Sequence, residues 1–322
     1  MVKVMMFLMS VFNENEKELD EAVFSIINQT FKDFEFIIVN DNPKNTDLAK
    51  KLDDFKILDK RIVIIKNEKN IGLAMSINKA SQLAKGKYIA RMDADDIATT
   101  DRLEKEYNII KKGTVDLVCS NFYFIDEESR LLSRKFDFLT KKQLIKLLPV
   151  WNTVHHPTIM MKREVFLKLG GFRDFPCAQD YDLWLRMLSE KYTFLMLEEK
   201  LLKYRIRSNS TTSSKRLLQV LTMNYAKKLY KERKIDGEDH YSPLDYENFL
   251  KNNGYYDERY CNEIEKKRLV FLRYKAAVNK KKYIQGFVYL SGIVGQSKYF
   301  RNRFFTVLEF ELKKKYFKYF GG

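Results

Sequence analysis

Residues 87–96 read KYIARMDADD, a short apolar run that ends in three acidic side chains. Two similar runs precede it, FEFIIVN at 34–40 and RIVIIK at 61–66, and Val2–Met9 is a fourth. Amphipathic helical periodicity fills the intervals between these runs, at 16–28, 45–55 and 73–84. Short apolar strands that alternate with amphipathic helices predict a mostly parallel sheet with helices on both faces. The predicted fold class is therefore α/β.

Polar residues follow each predicted strand. In an open parallel sheet the carboxyl ends of the strands meet at one edge, and ligands bind in the crevice beyond them. The sequence therefore predicts a polar binding site at that edge. The segments expected there are Ser10–Glu14, Asp41–Asn42, Asn67–Gly72 and Asp93–Asp96.

From residue 115 the alternation ends. Residues 115–126 (VDLVCSNFYFID) and 131–136 (LLSRKF) predict the two strands of a β-hairpin, because both are rich in β-branched, aromatic or leucine side chains. A helix is predicted over 180–189, where the apolar side chains recur at helical spacing.

Composition and charge separate the chain into two parts. Helical periodicity prevails after the Ser/Thr-rich run 208–214, so we predict an α/β domain over 1–212 and a mainly helical region over 213–322. The 322-residue chain has a formal net charge of +16. Most of this excess lies in residues 266–322, which carry 15 basic and only 2 acidic side chains. A patch this basic predicts an anionic partner.

Residues 280–320 interleave lysine and arginine with tyrosine and phenylalanine. This composition is typical of an interfacial helix, and we predict that it binds an anionic membrane surface. One alternative is a solvated basic helix packed on the first domain. Another is nucleic-acid binding, which is disfavoured because the first domain has no nucleic-acid motif and its acidic loops would repel phosphates. The sequence gives no indication of oligomeric state.

The overall composition, 45% hydrophobic and 32% charged, excludes a disordered chain. No stretch reaches the roughly 18 apolar residues of a membrane-spanning helix. The apolar start of the chain lacks a small-residue cleavage site, and the three cysteines have no pairing or metal-ligand spacing. These features predict a cytoplasmic protein that associates peripherally with the inner face of the membrane.

Three acids end the stretch quoted first. Asp93 and Asp95 lie two residues apart, and such carboxylates can meet one divalent cation if the loop turns. Asp96 adds a third negative charge, and adjacent acids repel one another unless a cation neutralises them. The alternative is a solvated carboxylate pair, because a D-x-D spacing also arises by chance.

A second such spacing occurs at Asp180 and Asp182, at the start of the predicted helix 180–189. An acid at this position stabilises a helix N-terminus. In the other interpretation, the carboxylate lies at the rim of a pocket and accepts a proton from a hydroxyl. The residues alone leave both interpretations open.

Several short motifs occur together, in one order, over two thirds of the chain. They are SVFNE (10–14), SIINQT (25–30), IIVND (37–41), NIGLA (70–74), ARMDADD (90–96), DRL (101–103), HPT (156–158), GGF (170–172), QDYD (179–182) and YR (204–205). In carrying these motifs in this order, residues 1–212 resemble the glycosyltransferases of family 2, which have the nucleotide-sugar-binding, Rossmann-like GT-A fold. The C-terminal hundred residues are outside this resemblance.

The resemblance implies an inverting transfer of a sugar from a nucleotide donor, expected to be a UDP-sugar. The acceptor implied is a hydroxyl of a lipid-linked molecule or oligosaccharide in bacterial surface-polysaccharide synthesis. Asp95 is implied to hold Mn²⁺ or Mg²⁺ at the diphosphate, and Asp180 to be the general base. The residues implied to contact the nucleotide sugar are Ser10, Phe12, Glu14, Asp41, Arg91, Asp93 and Arg207.

Two positions depart from the family pattern. Asn40 precedes Asp41 where many relatives have a second acid. Arg207 stands where many relatives have a histidine that sometimes binds the metal. An arginine cannot coordinate a cation but can contact a diphosphate, so we expect Arg207 to replace part of the histidine–metal contact.

Two further residues are assigned to the acceptor side by the resemblance. His156 is expected to line the acceptor or donor-phosphate pocket, and Trp184 is a candidate platform for a sugar ring. For each the alternative is a packed core residue. A rival function for the whole chain is a non-catalytic membrane- or nucleic-acid-binding module on a degenerate transferase scaffold.

Overall fold

The computed structural model describes residues 3–207, 216–279, 290–292, 295 and 297–319. The chain divides into two compact units. The α/β unit comprises Met1–Leu148 and Asn152–Ser214, and the helical unit comprises Pro149–Trp151 and Lys215–Gly322.

The α/β unit contains one mixed sheet of eight strands, which confirms the predicted fold class. The strands are β1 Met5–Val11, β2 Phe34–Asn40, β3 Ile62–Lys66, β4 Tyr88–Arg91, β5 Ile97–Ala98, β6 Leu117–Ile125, β7 Ile159–Lys162 and β8 Phe194–Arg205. Their order across the sheet is β3-β2-β1-β4-β7-β6-β8-β5. The first four in this order run parallel, β7 is antiparallel to β4 and β6, β6 and β8 are parallel, and β5 is antiparallel to β8.

The described residues of this unit form seven α-helices. Two of the predicted helices begin at asparagine caps: the side chain of Asn15 accepts the N–H of Lys17, and that of Asn45 accepts the N–H of Leu48, both at 2.9 Å. Such caps satisfy backbone donors that have no partner within the helix. The helices are α1 Glu16–Ile27, α2 Thr46–Leu58, α3 Gly72–Leu83, α4 Arg102–Ile110, α5 Lys141–Leu147, α6 Arg163–Lys168 and α7 Gln179–Ser189.

The core of the unit lies against the parallel strands. Phe7 of β1 and Phe36 of β2 are buried side by side, with ring centroids 5.3 Å apart in an edge-to-face arrangement. Leu19, Val23 and Ile26 form the buried stripe of α1. Because β1 and β2 are buried on both faces, their sequences are continuously apolar rather than alternating.

The predicted hairpin is wrong. Residues 131–136 form no strand, and only one isolated bridge joins Ile125 to Leu131. β6 pairs along its length with β8, a strand that the sequence analysis did not predict, and over Leu117–Cys119 with β7. Phe136 stacks on Phe122 with ring centroids 5.0 Å apart, so this segment crosses the face of the sheet.

The helical unit contains α8 Arg216–Asp236, α9 Pro243–Asn252, α10 Glu258–Asn279 and α11 Lys298–Tyr319. Tyr225 and Tyr246 pack with centroids 5.1 Å apart, which joins α8 to α9. Ile264 of α10 and Phe300 of α11 form a second small cluster. No described helix is both long and apolar enough to cross a bilayer. Of the basic-aromatic segment 280–320, residues 280–289, 293–294, 296 and 320 lie outside the described residues.

Candidate active site

The acidic loop after β4 brings three carboxylates together. Oxygens of Asp93, Asp95 and Asp96 all lie within 4.8 Å of one another. Asp96 is fully buried, whereas the side chains of Asp93 and Asp95 keep 35% and 25% of their surface exposed. The group therefore presents two accessible carboxylates above one buried carboxylate.

Burial and mutual repulsion disfavour ionisation of this cluster. Burial, and then the charge of Asp93, raise the pKa of Asp95 to about 6. Burial and both neighbouring acids raise the pKa of Asp96 well above its usual range. One oxygen of Asp96 has no hydrogen-bond partner among the described residues. Hard carboxylate oxygens in excess of local positive charge fit a divalent cation such as Mn²⁺ or Mg²⁺.

Arg207 lies against this cluster. Its guanidinium is 3.2 Å from a carboxylate oxygen of Asp95 and donates to Glu18 of α1 at 2.5 Å. Its Nε has no partner among the described residues. The residue in place of the family histidine thus contacts the acid that is implied to hold the metal.

Arg205, at the end of β8, holds the acidic loop in place. Its backbone N–H donates to Asp96 at 2.8 Å. Its guanidinium ties the loop to α1 and to the turn after β6. The acceptors are the carbonyl oxygen of Asp95 (2.8 Å), the carbonyl oxygens of Asp126 and Glu127 (3.0 Å each), the hydroxyl of Ser129 (3.1 Å) and the carboxylate of Glu21 (2.7 Å).

Asp41, at the end of β2, is buried and accepts three hydrogen bonds. Its donors are the side-chain amide of Asn67 at 2.8 Å and the backbone N–H groups of Ile71 and Gly72 at 2.9 and 2.8 Å. A carboxylate offers about four acceptor positions, so one position remains for a ligand. Asp41 therefore fixes the start of α3 as well as facing the strand ends.

The loop after β1 supplies the rest of the expected base pocket. Ser10 is half-buried, and Phe12 is 41% exposed. Glu14 accepts the backbone N–H of Phe12 at 2.7 Å, and burial raises the pKa of its carboxyl. Asn42 donates to the Phe12 carbonyl oxygen at 3.0 Å, which joins this loop to the one after β2.

Asp180 lies in the first turn of α7, two residues after Ala178, whose φ of 55° is left-handed. The side-chain amide of Asn152 donates to its carboxylate at 3.0 Å, and burial raises the pKa of this carboxyl. The positive charge of Arg91 acts in the opposite direction on Asp180. Arg91 itself is buried and ion-paired with Asp93. The Arg91 guanidinium thus pairs with the acidic cluster, and its charge also acts on Asp180.

His156 and Trp184 are packed residues. Trp184 is fully buried, so its ring has no free face on which a sugar could stack. His156 is 7% exposed, and its ring lies 5.1 Å from that of Phe172 and 6.3 Å from that of Trp184. Burial lowers the pKa of His156 well below its usual range, so its ring is neutral. Trp184 is therefore a core residue. The Nε2 of His156 has no hydrogen-bond partner among the described residues, so its expected place at the pocket stays a prediction.

Two site residues escaped the sequence analysis. Asn152 is 28 positions from Asp180, and Glu18 is 189 positions from Arg207. Neither stands in a motif, and helical periodicity explains Glu18 as a residue of α1. Only the fold brings these residues to the site.

Comparisons with known proteins identify the family of the chain. The family described as Glycosyl transferase family 2 matches residues 6–170. The chain is 40% identical over 232 residues to an uncharacterised glycosyltransferase of Methanocaldococcus jannaschii, over 70% of this chain and 79% of the relative. It is 36% identical over 202 residues to the O-antigen biosynthesis glycosyltransferase WbnJ of Escherichia coli, over 62% of this chain and 78% of the relative.

The fold also resembles a solved structure. The crystal structure of S. aureus TarS 1–349 in complex with UDP-GlcNAc matches with a TM-score of 0.58 and 14% identity, over 90% of this chain and 80% of that chain. At this identity the likeness supports the fold alone, and it agrees with the GT-A expectation. With the family match over more than half of the sequence, the chain belongs to glycosyltransferase family 2.

Proposed function

We propose that the chain transfers a sugar, with inversion, from a UDP-sugar to a hydroxyl of a lipid-linked or oligosaccharide acceptor. Residues 1–212 are the proposed catalytic domain. The observation that carries the proposal is that the chain holds two separate acidic centres, the cluster after β4 and Asp180, and that the charge of Arg91 acts on both. One acidic centre suits a cation, and the other is a lone carboxylate held ready for a proton.

The donor is proposed to bind at the ends of β1, β2 and β4. The remaining acceptor position of Asp41 suits an N–H of the base, and the exposed ring of Phe12 offers it a face. Asp93 is proposed to reach the ribose, with Ser10, Glu14 and Arg91 around it. A UDP-sugar is favoured because TarS, of similar fold, was crystallised with UDP-GlcNAc.

Asp93 and Asp95 are the residues that would hold Mn²⁺ or Mg²⁺. The cation, when bound, supplies positive charge against the diphosphate leaving group. Arg207, at 3.2 Å from Asp95, neutralises part of the cluster and is positioned to contact the diphosphate. We propose that it replaces part of the histidine–metal contact of the relatives.

Asp180 is the proposed general base. The acceptor oxygen forms a bond to the anomeric carbon while the bond to the diphosphate oxygen breaks, and the nucleoside diphosphate leaves with the electron pair. The acceptor proton goes to the Asp180 carboxylate. Burial raises the pKa of this carboxyl, which strengthens the base, while Asn152 fixes its orientation.

The acceptor class and the membrane surface are proposed from the helical region 213–322. Four apolar side chains of α11 follow one another at spacings of three or four residues, so they share one helix face. All are at least 40% exposed, and lysines at 313–315 flank them. They are Phe305, Leu308, Leu312 and Tyr316. An exposed apolar face with basic flanks suits an anionic cytoplasmic leaflet. The name of the E. coli relative places it in O-antigen synthesis, which favours a surface-polysaccharide acceptor.

The test of the activity is release of nucleoside diphosphate from a panel of UDP- and GDP-sugars, with Mn²⁺ and with chelator. We expect slow hydrolysis of one donor, suppressed by chelator and absent in Asp95→Asn. Asp53→Asn is the control, because Asp53 is an exposed acid of α2 that pairs with Lys66 and does not belong to the acidic cluster. Failure to bind any nucleotide would favour the scaffold-only alternative.

The test of the membrane surface is cosedimentation with phosphatidylglycerol vesicles. We expect Leu312→Ser to weaken binding, because Leu312 is 58% exposed on the apolar face of α11. Ile57→Ser, at an exposed apolar position of α2, is the matched control. Equal binding by both variants and the parent protein would contradict a role for α11.

A further inference from the structure

The helical unit contains a cleft of its own. Its volume is 70 Å³, and every residue that lines it belongs to this unit. By the volume a single water occupies in a cavity, the cleft holds about five waters, which is room for a phosphate group but not for an oligosaccharide. The family match ends at residue 170, before α8 begins.

Two cationic side chains face this cleft. Lys227 of α8 and Arg303 of α11 both line it, and the Arg303 guanidinium lies 5.5 Å from the centroid of the Trp151 ring. Both cations are half-buried. The Trp151 ring and apolar side chains such as Leu221 cover part of the wall, so ionic contacts beside them are stronger than in water.

Glu309 is the acid whose charge acts on Lys227, and it is paired with Lys313 at 2.6 Å. Lys227 forms no ion pair with a described residue. Burial lowers the pKa of Lys227 to about 8, with Lys231 and Arg303 acting in the same direction and Glu309 against it. Neither Lys227 nor Arg303 forms an ion pair within the part of the chain that the structure describes.

Neutral polar groups complete the lining. The amides of Asn224 and Asn302 and the hydroxyl of Thr306 face the cleft beside Lys227 and Arg303. Amide and hydroxyl groups donate hydrogen bonds to anionic oxygens. A phosphomonoester carries close to two negative charges near neutral pH, which matches the two cations.

We propose that the cleft between α8, α10 and α11 binds a phosphate group, with Lys227 and Arg303 as its charged ligands. The site goes beyond the proposed sugar transfer, since it does not depend on the strand ends or on the acidic cluster. Two sources offer the same chemistry: a water-soluble phosphomonoester and a phospholipid headgroup.

Trp151 provides a local measurement. The chain has two tryptophans, and Trp184 is fully buried in the α/β unit. We expect inorganic phosphate, titrated into the full chain at constant ionic strength with chelator present, to change the tryptophan emission. The change should be lost in Trp151→Phe. Lys227→Gln should raise the half-saturating phosphate concentration about tenfold, as loss of a charged hydrogen bond does.

Lys251→Gln is the matched control, because Lys251 is an exposed lysine of α9 in the same unit. It should leave the titration unchanged. Equal weakening by both variants would mean general charge attraction and would overturn the site, as would the absence of an emission change up to tens of millimolar phosphate. Arg303→Gln gives a second test that does not depend on the folding of Lys227→Gln.

A competition experiment that follows the Trp151 emission distinguishes the two sources of the phosphate group. Glycerol phosphate and phosphatidic acid vesicles are each added to the phosphate-bound protein. Competition by glycerol phosphate alone identifies a soluble ligand, and competition by vesicles identifies a headgroup. If neither competes, binding is specific to the inorganic ion and the proposed class of ligand is wrong.

Discussion

The acidic loop after β4 and the cleft of the helical unit both concentrate charge of one sign, and the two signs are opposite. At the loop, burial and neighbouring acids raise the pKa values of Asp95 and Asp96, although Arg207 contacts Asp95. At the cleft, burial and neighbouring cations lower the pKa of Lys227. In each case we propose that a ligand supplies the opposite charge. The comparison teaches that a buried charge whose pKa is shifted by burial and like charges indicates function better than the number of charges does.

A third buried charge shows the opposite case. Arg102 and Glu106 of α4 are both fully buried and pair with each other at 3.0 Å. Arg102 also donates to the carbonyl oxygen of Arg91 at 2.8 Å. Each of these two charges has its counter-charge within the chain, although one nitrogen of Arg102 and one oxygen of Glu106 have no hydrogen-bond partner among the described residues. We therefore expect the pair to contribute to the fold and not to bind a ligand.

The largest expected effect belongs to Asp180. Asp180→Asn should lower sugar transfer by about 10²–10⁴-fold, because the amide cannot take the acceptor proton. UDP affinity, measured by calorimetry, should not change. Asp174→Asn, an exposed acid of the preceding loop, should keep full activity. Loss of UDP binding in Asp180→Asn would place Asp180 at the donor and break the division between the two acidic centres.

The pH dependence of transfer tests the same residue. Only the ionised Asp180 accepts a proton, so the rate should fall as the pH drops through its pKa. Because burial raises this pKa above its usual value, the fall should begin at a higher pH than an exposed aspartate would give. A rate that is flat down to the ordinary pKa of aspartate would contradict the assignment.

Cation binding should respond next. Asp95→Asn removes one of two accessible oxygen ligands, and we expect Mn²⁺ affinity, followed by electron paramagnetic resonance, to fall about 10- to 100-fold. Asp53→Asn again serves as the control. An unchanged Mn²⁺ affinity would contradict the proposal that the acidic loop binds the cation.

Arg207 should act in the opposite direction and more weakly. Its positive charge opposes that of a cation at Asp95, so Arg207→Gln should raise Mn²⁺ affinity about threefold to tenfold. Arg207→His should raise it further by adding a ligand. Unchanged activity and unchanged metal affinity in Arg207→His would count against any part of Arg207 in this site.

The smallest expected effect is on the stability of the protein, and it concerns the Arg102–Glu106 pair. Burial raises the folded-state pKa of Glu106 to about 7, above its unfolded value of about 4.5. The folded state therefore binds the proton more tightly, and this group lowers the stability of the protein as the pH rises from 4.5 to 7. Glu106→Gln cannot titrate, so its unfolding free energy should lack this decline, by about 1–3 kcal/mol. Urea unfolding at several pH values measures it.

The parallel half of the fold was predictable because each of its elements has a local signal. Strands β1 to β4 are continuous apolar runs, and helices α1 and α2 begin at asparagine caps. Strand β8 was missed because Glu198 and Glu199 interrupt its apolar pattern, near the register shift against β6. The hairpin prediction failed for a different reason: tertiary packing decides which strands pair with β6, and the local sequence does not show it.

The site was predictable to a similar depth. The acids after β4 and Asp180 were found because motifs carry them. The partners of the site residues were not found. Asn152 contacts Asp180 and Glu18 contacts Arg207 from distant positions in the sequence, and neither stands in a motif. Trp184 was offered as a sugar platform because its burial is invisible in the sequence.

The hydrogen bonds of Arg205 have a thermodynamic consequence. One guanidinium joins the acidic loop, the turn after β6 and α1, so these segments are already ordered without a ligand. A preorganised loop loses little conformational entropy on binding. Donor binding at this edge should therefore be enthalpy-driven with a small entropic penalty. Arg205→Lys, which keeps the charge but not the fork of donors, should enlarge that penalty while leaving the contacts to the donor in place.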